Sequence, residues 1–446
     1  MIPLKNKITY FKISLRNYNP FYNEIVAKEI SKKLRYFRNI YQYNPCSFDK
    51  MSILNSLHIK NKFVVYENSS NRIGDNSLIF LNGNFNHTLD IQRDLEKIYS
   101  ISKRCSRVAV VLYNPYIEFI YKLAKMLRIY KGEIPNNFVT RSNLLNILKL
   151  SNYEEVSFKS LIYIPFYLFG LEILINKVCR QLPLIRNLAL VSVSYLRPII
   201  KSSPLTKLSI VVPARNESGN IKNIFKEISD LSNRIPLQLI VVEGNSTDAT
   251  WEEIQKTYHY YKDSMDVKIL QQIKKGKADA VRFGFQHASG ELYTILDADL
   301  TVSTIHLEKF YNAYLEGHAD FINGNRLIYP MEKNAMRFLN RVGNIFFAKT
   351  LSYILDINIG DSLCGTKLFS KMDYERFQVW RENFGDFDPF GDFEIIFPAS
   401  ELMLGFIDIP IHYKNRSYGE TNIQRFRDGL KLFKMVAIGF FKIKIS

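Results

Sequence analysis

Residues 207 to 300 repeat one pattern: a short run of β-branched and apolar residues, a polar cluster at its end, then a stretch of helical period. The runs 207–212, 237–242, 267–271 and 293–296 read as strands. Pro213-Ala214-Arg215-Asn216-Glu217 closes the first, and Glu243-Gly244-Asn245-Ser246-Thr247-Asp248 the second. Lys274-Lys275-Gly276-Lys277 follows the third, and Asp297-Ala298-Asp299 the fourth. Helical patterns at 218–231, at 251–261 and onward to His287 separate them. Strands joined through helices run parallel, because each crossover returns the chain to the same edge. The expected architecture is therefore α/β, a doubly wound and mostly parallel sheet. Ligands in such sheets sit beyond the carboxyl ends of the strands, where all four polar clusters fall.

The fourth cluster has the most specific chemistry. Asp297 and Asp299 stand at i and i+2 where a strand gives way to a loop, so both carboxylates can turn toward one point. Hard divalent cations take oxygen ligands, and Mg²⁺ is commonly held by one or two carboxylates plus substrate phosphates. Each cluster also has a plainer alternative. Pro213 serves equally to end a strand, and Glu217 is an early-helix acid that the dipole favours. Asp248 reads best as an N-cap. Lys274, Lys275 and Lys277 also suit a solvated basic run. The specificity lies in four clusters sharing one edge.

A chain of 446 residues with 47% hydrophobic residues has room for two or three domains. The formal net charge of +17 suits phosphorylated substrates, an anionic membrane or nucleic acid. Nucleic acid is set aside, because the modules of basic and aromatic residues that read it are missing and the carboxylate clusters repel phosphate without a metal. Cys46, Cys105, Cys179 and Cys364 are far apart, which points to free thiols in a reducing compartment and to neither disulfides nor zinc. Residues 1–10 carry no signal-peptide pattern. The most apolar run, 161–171, is broken by Pro165 and followed by Glu172, so no membrane span is expected.

Ahead of the repeat lies a second α/β unit. Its expected strands are 62–66, 77–81 and 107–113. Its expected helices are 23–34, 91–102, 116–127 and 141–150, the last opened by Thr140 as N-cap. Pro198 to Leu205, with two prolines and two serines, marks the boundary, giving domains 1–200 and 205–446.

About residues 205–440 resemble the family 2 glycosyltransferases of GT-A fold, especially those like dolichol-phosphate mannosyltransferase. Besides the strand-end clusters, the resemblance is carried by Val242-Glu243-Gly244, Thr250-Trp251-Glu252-Glu253-Ile254-Gln255 and Leu363-Cys364-Gly365-Thr366-Lys367. Phe384-Gly385-Asp386-Phe387-Asp388-Pro389-Phe390-Gly391-Asp392-Phe393 and Tyr418-Gly419-Glu420-Thr421-Asn422 extend it. These runs are closest to bacterial fusions of a methyltransferase-like domain with such a transferase. The resemblance implies metal-dependent, inverting transfer of a sugar from a nucleotide diphosphate to a polyprenyl phosphate. It implies that Pro213, Arg215 and Glu217 line the nucleotide pocket, and that Glu243 holds the ribose or base. Lys277 then belongs to the basic turn, and Asp297 and Asp299 hold Mg²⁺ or Mn²⁺ against the donor diphosphate. Asn325-Arg326, closing a strand at 321–323, matches the family pair whose arginine meets the acceptor phosphate. Arg416, Gly419 and Thr421 match its R-x-x-G-x-S/T stretch. A guanidinium suits phosphate because its rigid fork donates two parallel hydrogen bonds. Pairing of Arg326 and Arg416 with acids such as Glu394 or Glu420 is the alternative. Asp392 occupies the region of an acid near the acceptor, as a base, an orienting group, a cap or an ion-pair partner.

The first unit resembles the C-terminal part of class I S-adenosylmethionine-dependent methyltransferases. The matching stretches are Asp75-Asn76-Ser77-Leu78-Ile79-Phe80-Leu81, His87-Thr88-Leu89-Asp90 and Val110-Val111-Leu112-Tyr113-Asn114. Arg141-Ser142-Asn143-Leu144-Leu145 falls where that family places a helix before a final pair of strands. The family binds its cofactor on a glycine-rich turn after the first strand. Here the first glycine is Gly74, beyond that turn, and Asn68-Ser69-Ser70-Asn71 does not replace it. A degenerate domain that binds no S-adenosylmethionine is expected, with a working methyltransferase as the alternative.

Two segments suit a membrane surface. Residues 336–355 place Phe338, Leu339, Val342, Ile345 and Phe346 on one helical face. Residues 429–445 carry Leu430, Phe433, Val436, Ala437 and Phe440 among Lys431, Lys434, Lys442 and Lys444. Core packing or a dimer contact is the alternative. The expected location is cytoplasmic, peripheral at the membrane face. A soluble or glycan acceptor remains open beside the lipid.

Overall fold

The computed structural model describes residues 18–44, 63–66, 73–127, 135–164, 168–182, 185–332, 336–385, 388, 391–416, 418–419 and 425–445. The chain divides into two compact units, Met1–Ile200 and Lys201–Ser446.

The first unit is a six-stranded sheet in the order β2-β1-β3-β4-β6-β5. Its strands are β1 (Asn39–Tyr43), β2 (Phe63–Tyr66), β3 (Ser77–Asn82), β4 (Arg107–Tyr113), β5 (Tyr153–Ile162) and β6 (Val191–Pro198). The first four run parallel, while β6 is antiparallel to both β4 and β5. Buried along their whole length, β3 and β4 read as unbroken apolar runs, as strands covered on both faces do. Helix Ile91–Ile101 is capped by Asp90, whose carboxylate accepts the Arg93 N–H at 3.0 Å, and it buries Ile91, Leu95 and Ile98 at helical spacing. Thr140 caps helix Arg141–Leu150 as expected, accepting the Asn143 N–H at 3.3 Å. The expected helix at 23–34 runs from Tyr18 to Leu34, and the one at 116–127 opens as a 3₁₀ turn, Pro115–Ile117. The strand β1 was not expected; its five residues, Asn-Ile-Tyr-Gln-Tyr, interleave polar and apolar positions and follow a helix closely. The segment 68–71 lies outside the described residues, as does Cys46.

The second unit is a seven-stranded sheet in the order β13-β11-β12-β10-β7-β8-β9. These strands are β7 (Leu208–Ala214), β8 (Leu237–Glu243), β9 (Val267–Gln271), β10 (Leu292–Ile295), β11 (Phe321–Asn325), β12 (Lys367–Ser370) and β13 (Phe406–Pro410). Parallel pairing joins β10 to β7, β7 to β8, β8 to β9 and β11 to β13. One strand breaks the rule: β12 is antiparallel to both β10 and β11, so the sheet is mixed. The chain winds outward from β7 through β8 to β9, then returns to lay β10 on the other flank of β7. That reversal places a topological switch point beside the carboxyl ends of β7 and β10. Helix Ile221–Ser232 buries Ile221, Ile224, Phe225, Ile228 and Leu231 on the core that Ile210, Val212, Leu239 and Val241 complete. Burying five such side chains favours folding by about 1.5–3 kcal/mol each before entropy is counted.

Candidate active site

The strand-end loops interlock before they build a site. Asn216 donates its N–H to Ser246 Oγ at 3.1 Å, and its side-chain oxygen accepts the Thr247 N–H at 2.8 Å. Asn216 takes this role with φ of 55°, in the left-handed region that asparagine tolerates better than most residues. Asp248 accepts the N–H groups of Thr250 and Ser218 at 3.1 and 3.4 Å, but it stands one residue ahead of the N-cap, Ala249, so it ties the two loops together and is not the N-cap expected from sequence. After β10, Asp299 Oδ1 accepts both the N–H and hydroxyl of Thr301, at 3.2 and 2.8 Å. Between them Leu300 is forced to φ of 50°. A non-glycine residue in that region costs on the order of 1 kcal/mol, and such strain clusters at functional loops.

These loops and the end of the second unit enclose a cleft of about 570 Å³. Nine expected residues line it: Pro213, Arg215, Glu217, Lys277, Asp297, Asp299, Arg326, Asp392 and Arg416. Glu243 is buried beside it, its carboxylate accepting the Ser246 N–H at 2.5 Å, and the adjoining Gly244 lines the wall. Thr421 lies outside the described residues.

Carboxylates and cations alternate across the cleft. Lys277 Nζ meets Asp297 Oδ1 at 2.5 Å. Arg416 reaches Asp299 Oδ2 at 2.8 Å through one nitrogen and Glu217 Oε1 at 3.2 Å through another. The cleft wall partly desolvates Lys277, but Asp297, Asp392 and Asp299 outweigh this and raise its pKa. Burial likewise opposes ionisation of Asp297, yet Lys277, Arg326 and Lys367 hold its carboxyl below the usual range. Glu217 goes the other way. Burial pushes its pKa up, Arg416 and a hydrogen bond from Asn220 oppose the rise, and Asp299 and Asp248 add to it.

The arginines find acids other than those considered from sequence. Arg326 forks onto Asp361, and Arg416 takes Asp299 and Glu217. Glu394 is instead clamped by Arg282, at 2.8 and 2.6 Å. Asp392 pairs with the fully buried Lys367 at 2.6 Å. Asp388, not Asp392, accepts the N–H groups of Phe393 and Glu394 that open helix Phe393–Glu401. Sequence reasoning missed Asp361, which lies in none of the runs singled out there. It also missed the role of Gly365: a Cβ there would stand 2.5 Å from Asp297 Oδ2 and 2.8 Å from Lys277 Nζ. Only a glycine leaves that ion pair undisturbed. Among the described residues no group of three or more acidic, histidine or cysteine side chains forms a metal cluster.

The mixed, mostly parallel sheet with its acid-lined cleft at the switch point is a GT-A-like glycosyltransferase fold. Residues 209–377 match the family model described as Glycosyl transferase family 2, so the second unit contains a family 2 glycosyltransferase domain. A dolichol-phosphate mannosyltransferase of Pyrococcus furiosus is 32% identical over 123 residues, 27% of this chain and 34% of the relative. The chain thus spans about a third of that protein's length. A dolichyl-phosphate hexose transferase of Haloferax volcanii is 24% identical over 229 residues, 51% of this chain and 92% of the relative. Among solved structures, glucosyl-3-phosphoglycerate synthase from Mycobacterium tuberculosis matches at a TM-score of 0.39 and 17% identity. That match covers 54% of this chain and 81% of the synthase.

Proposed function

We propose that the second unit is a metal-dependent, inverting hexosyltransferase that moves a sugar from a nucleotide diphosphate to a polyprenyl phosphate. The observation that carries this is the charge layout of the cleft, where Asp297 and Asp299 share one wall with Lys277, Arg326 and Arg416. A soluble hydroxylated acceptor needs no such cluster of cations, whereas two phosphorylated substrates in one cleft do. The dolichol-phosphate transferases among the relatives support the same acceptor class.

Asp297 and Asp299 would hold Mg²⁺ or Mn²⁺: both are hard oxygen donors, and Gly365 keeps the space beside Asp297 clear. Such a cation, when bound, neutralises charge on the departing nucleotide. Pro213, Arg215, Glu217 and Gly244 would cradle the nucleotide, with Glu243 shaping the loop around it. Arg326, Arg416 and Thr421 would receive the acceptor phosphate. That phosphate is an anion near neutral pH, so its oxygen attacks the anomeric carbon without a strong base, from the face opposite the leaving diphosphate. The bond from that carbon to the diphosphate oxygen breaks as the new one forms, which inverts the centre. Asp392, tied to Lys367, suits an orienting role better than proton uptake.

Peripheral association with the cytoplasmic face of a membrane is part of the proposal. Helix Phe338–Leu355 exposes Phe338, Leu339, Val342, Ile345 and Phe346, and helix Arg425–Gly439 exposes Leu430 and Phe433. The rings of Phe346 and Phe433 meet at 5.6 Å, which joins the two apolar faces. Their rim is less basic than the sequence suggested, because Lys431 pairs with Asp428 and Lys444 with Asp356. Among the described residues no helix is long and apolar enough to cross a membrane. For the first unit, helix Arg141–Leu150 standing before β5 and β6 supports a methyltransferase-like origin, and we propose that it binds no S-adenosylmethionine.

Thermal-shift titration with UDP- and GDP-sugars plus Mn²⁺ tests the donor. A specific nucleotide-sugar should raise Tm in proportion to the logarithm of its concentration above Kd. Absence of any shift with every nucleotide-sugar would count against the assignment.

A further inference from the structure

Both carboxylates assigned to the metal are already occupied by side-chain cations. Each Asp299 oxygen already has a partner. Its Oδ1 is held by the Thr301 N–H and hydroxyl, and its Oδ2 accepts from Arg416 at 2.8 Å. The Thr301 contacts lie within the loop and come two residues along the chain, so they form with the turn itself. Arg416 arrives from 117 residues away and is the partner that can leave. It is also steadied by Glu217, and its neighbourhood is pinned to the first strand-end loop: Tyr418 OH lies 2.9 Å from Ser218 Oγ, and the Tyr418 ring packs over Gly219.

We propose that Arg416 is a shared cation that sets the order of substrate binding. In the structure it pairs with Asp299. A divalent cation arriving with the nucleotide needs that oxygen, and it repels a guanidinium a few ångströms away. Arg416 is then released from Asp299 and free to turn its fork to the acceptor phosphate. The acceptor arginine is thus withheld until donor and metal are in place, so a bare phosphate entering first competes with Asp299 and Glu217 for it. By linkage, the factor by which metal and nucleotide strengthen phosphate binding equals the factor by which phosphate strengthens theirs. This rests on the metal-seat reading above and adds the residue that the metal must displace.

Mn²⁺ binding to the full chain, followed by the paramagnetic resonance of free Mn²⁺, tests the proposal without any turnover. Arg416→Ala and the uncharged, polar Arg416→Gln should bind Mn²⁺ about tenfold more tightly than wild type, since a charge-assisted contact no longer competes. Asp299→Asn should lose the site in every background. Unchanged or weaker Mn²⁺ affinity in both Arg416 variants, with Asp299→Asn still inactive in binding, overturns the displacement while leaving the metal seat intact. Wild-type affinity in Asp299→Asn overturns the metal seat itself and the displacement with it. In the companion titration, a short prenyl phosphate should bind wild type at least several-fold better with Mn²⁺ and UDP present than without, and this gain should vanish in Arg416→Gln. An equal gain in wild type and variant contradicts the proposal.

Discussion

Arg326 lies in the fork of Asp361, donating from Nε and Nη2 to the two carboxylate oxygens at 2.7 and 2.9 Å. The carboxylate is fully buried and also accepts from Asn344 at 2.7 Å, on the helix that carries the exposed apolar face, and from the Leu363 N–H at 3.1 Å. Through these contacts Arg326 is held at the cleft wall by a partner that never reaches solvent. Burial alone would raise the Asp361 pKa, but Arg326 and the hydrogen bonds bring it below the usual aspartate range.

Asp361→Asn should therefore be among the most damaging single changes outside the apolar core. It leaves a buried guanidinium without its counter-charge, at a cost of about 3–5 kcal/mol. The pH dependence has a definite sign. Because the folded-state pKa lies below the unfolded value of about 3.9, the pair stabilises the fold above that pH. The benefit is lost as pH falls through the lowered folded value. Tm should differ little in its slope above about pH 4 and, from there down to about pH 2, fall more steeply in wild type than in Asp361→Asn; parallel curves over that lower range would show that the pair does not titrate as described.

Gly365→Ala separates stability from function. The atoms that an added Cβ would meet are the far ends of two flexible side chains, Asp297 Oδ2 and Lys277 Nζ, which can shift cheaply. Stability should change by less than about 1 kcal/mol. Nucleotide-sugar affinity should drop tenfold or more, because an ångström of displacement at a ligand-holding carboxylate is costly. A variant with wild-type affinity would remove Gly365 from the site.

Asp299→Asn should abolish sugar transfer with the fold intact. Its partners are Thr301 in its own loop and the part-exposed Arg416, so the structural cost stays near about 1 kcal/mol. Transfer at the wild-type rate in metal-chelated buffer would show the carboxylate assignment to be wrong.

The first unit should show no saturable S-adenosylmethionine binding at micromolar concentration by calorimetry. No glycine precedes Gly74, and the 45–62 segment that follows β1 has none. A clean titration would make this a working methyltransferase domain.

Legibility in the sequence followed burial. Strands β7, β8 and β10 were readable because they are buried and apolar and each ends in a polar cluster; β9, only half-buried at the sheet edge, and β4 have the bounds read from sequence. Strand β12 was not, since it opens on Lys367, whose charge argues for a loop until its pairing with Asp392 is known. Its antiparallel course is also invisible to a pattern that counts only strand-helix alternation. The cleft residues were legible as types placed at one edge. Their pairing was not: Arg326 meets Asp361 from 35 residues away and Arg416 meets Asp299 from 117, and no periodicity records such distances.

The most direct measurement is sugar transfer by the full chain from labelled UDP- or GDP-hexose to a short polyprenyl phosphate, with Mn²⁺, compared with the corresponding prenyl alcohol and with simple glycans. Arg326 and Arg416 predict product from the phosphate alone, with the anomeric configuration inverted. Arg416→Ala should lower acceptor use roughly tenfold or more without weakening donor affinity. Equal transfer to the alcohol or a glycan, or an Arg416→Ala defect confined to donor affinity, would contradict a phosphorylated lipid as the acceptor.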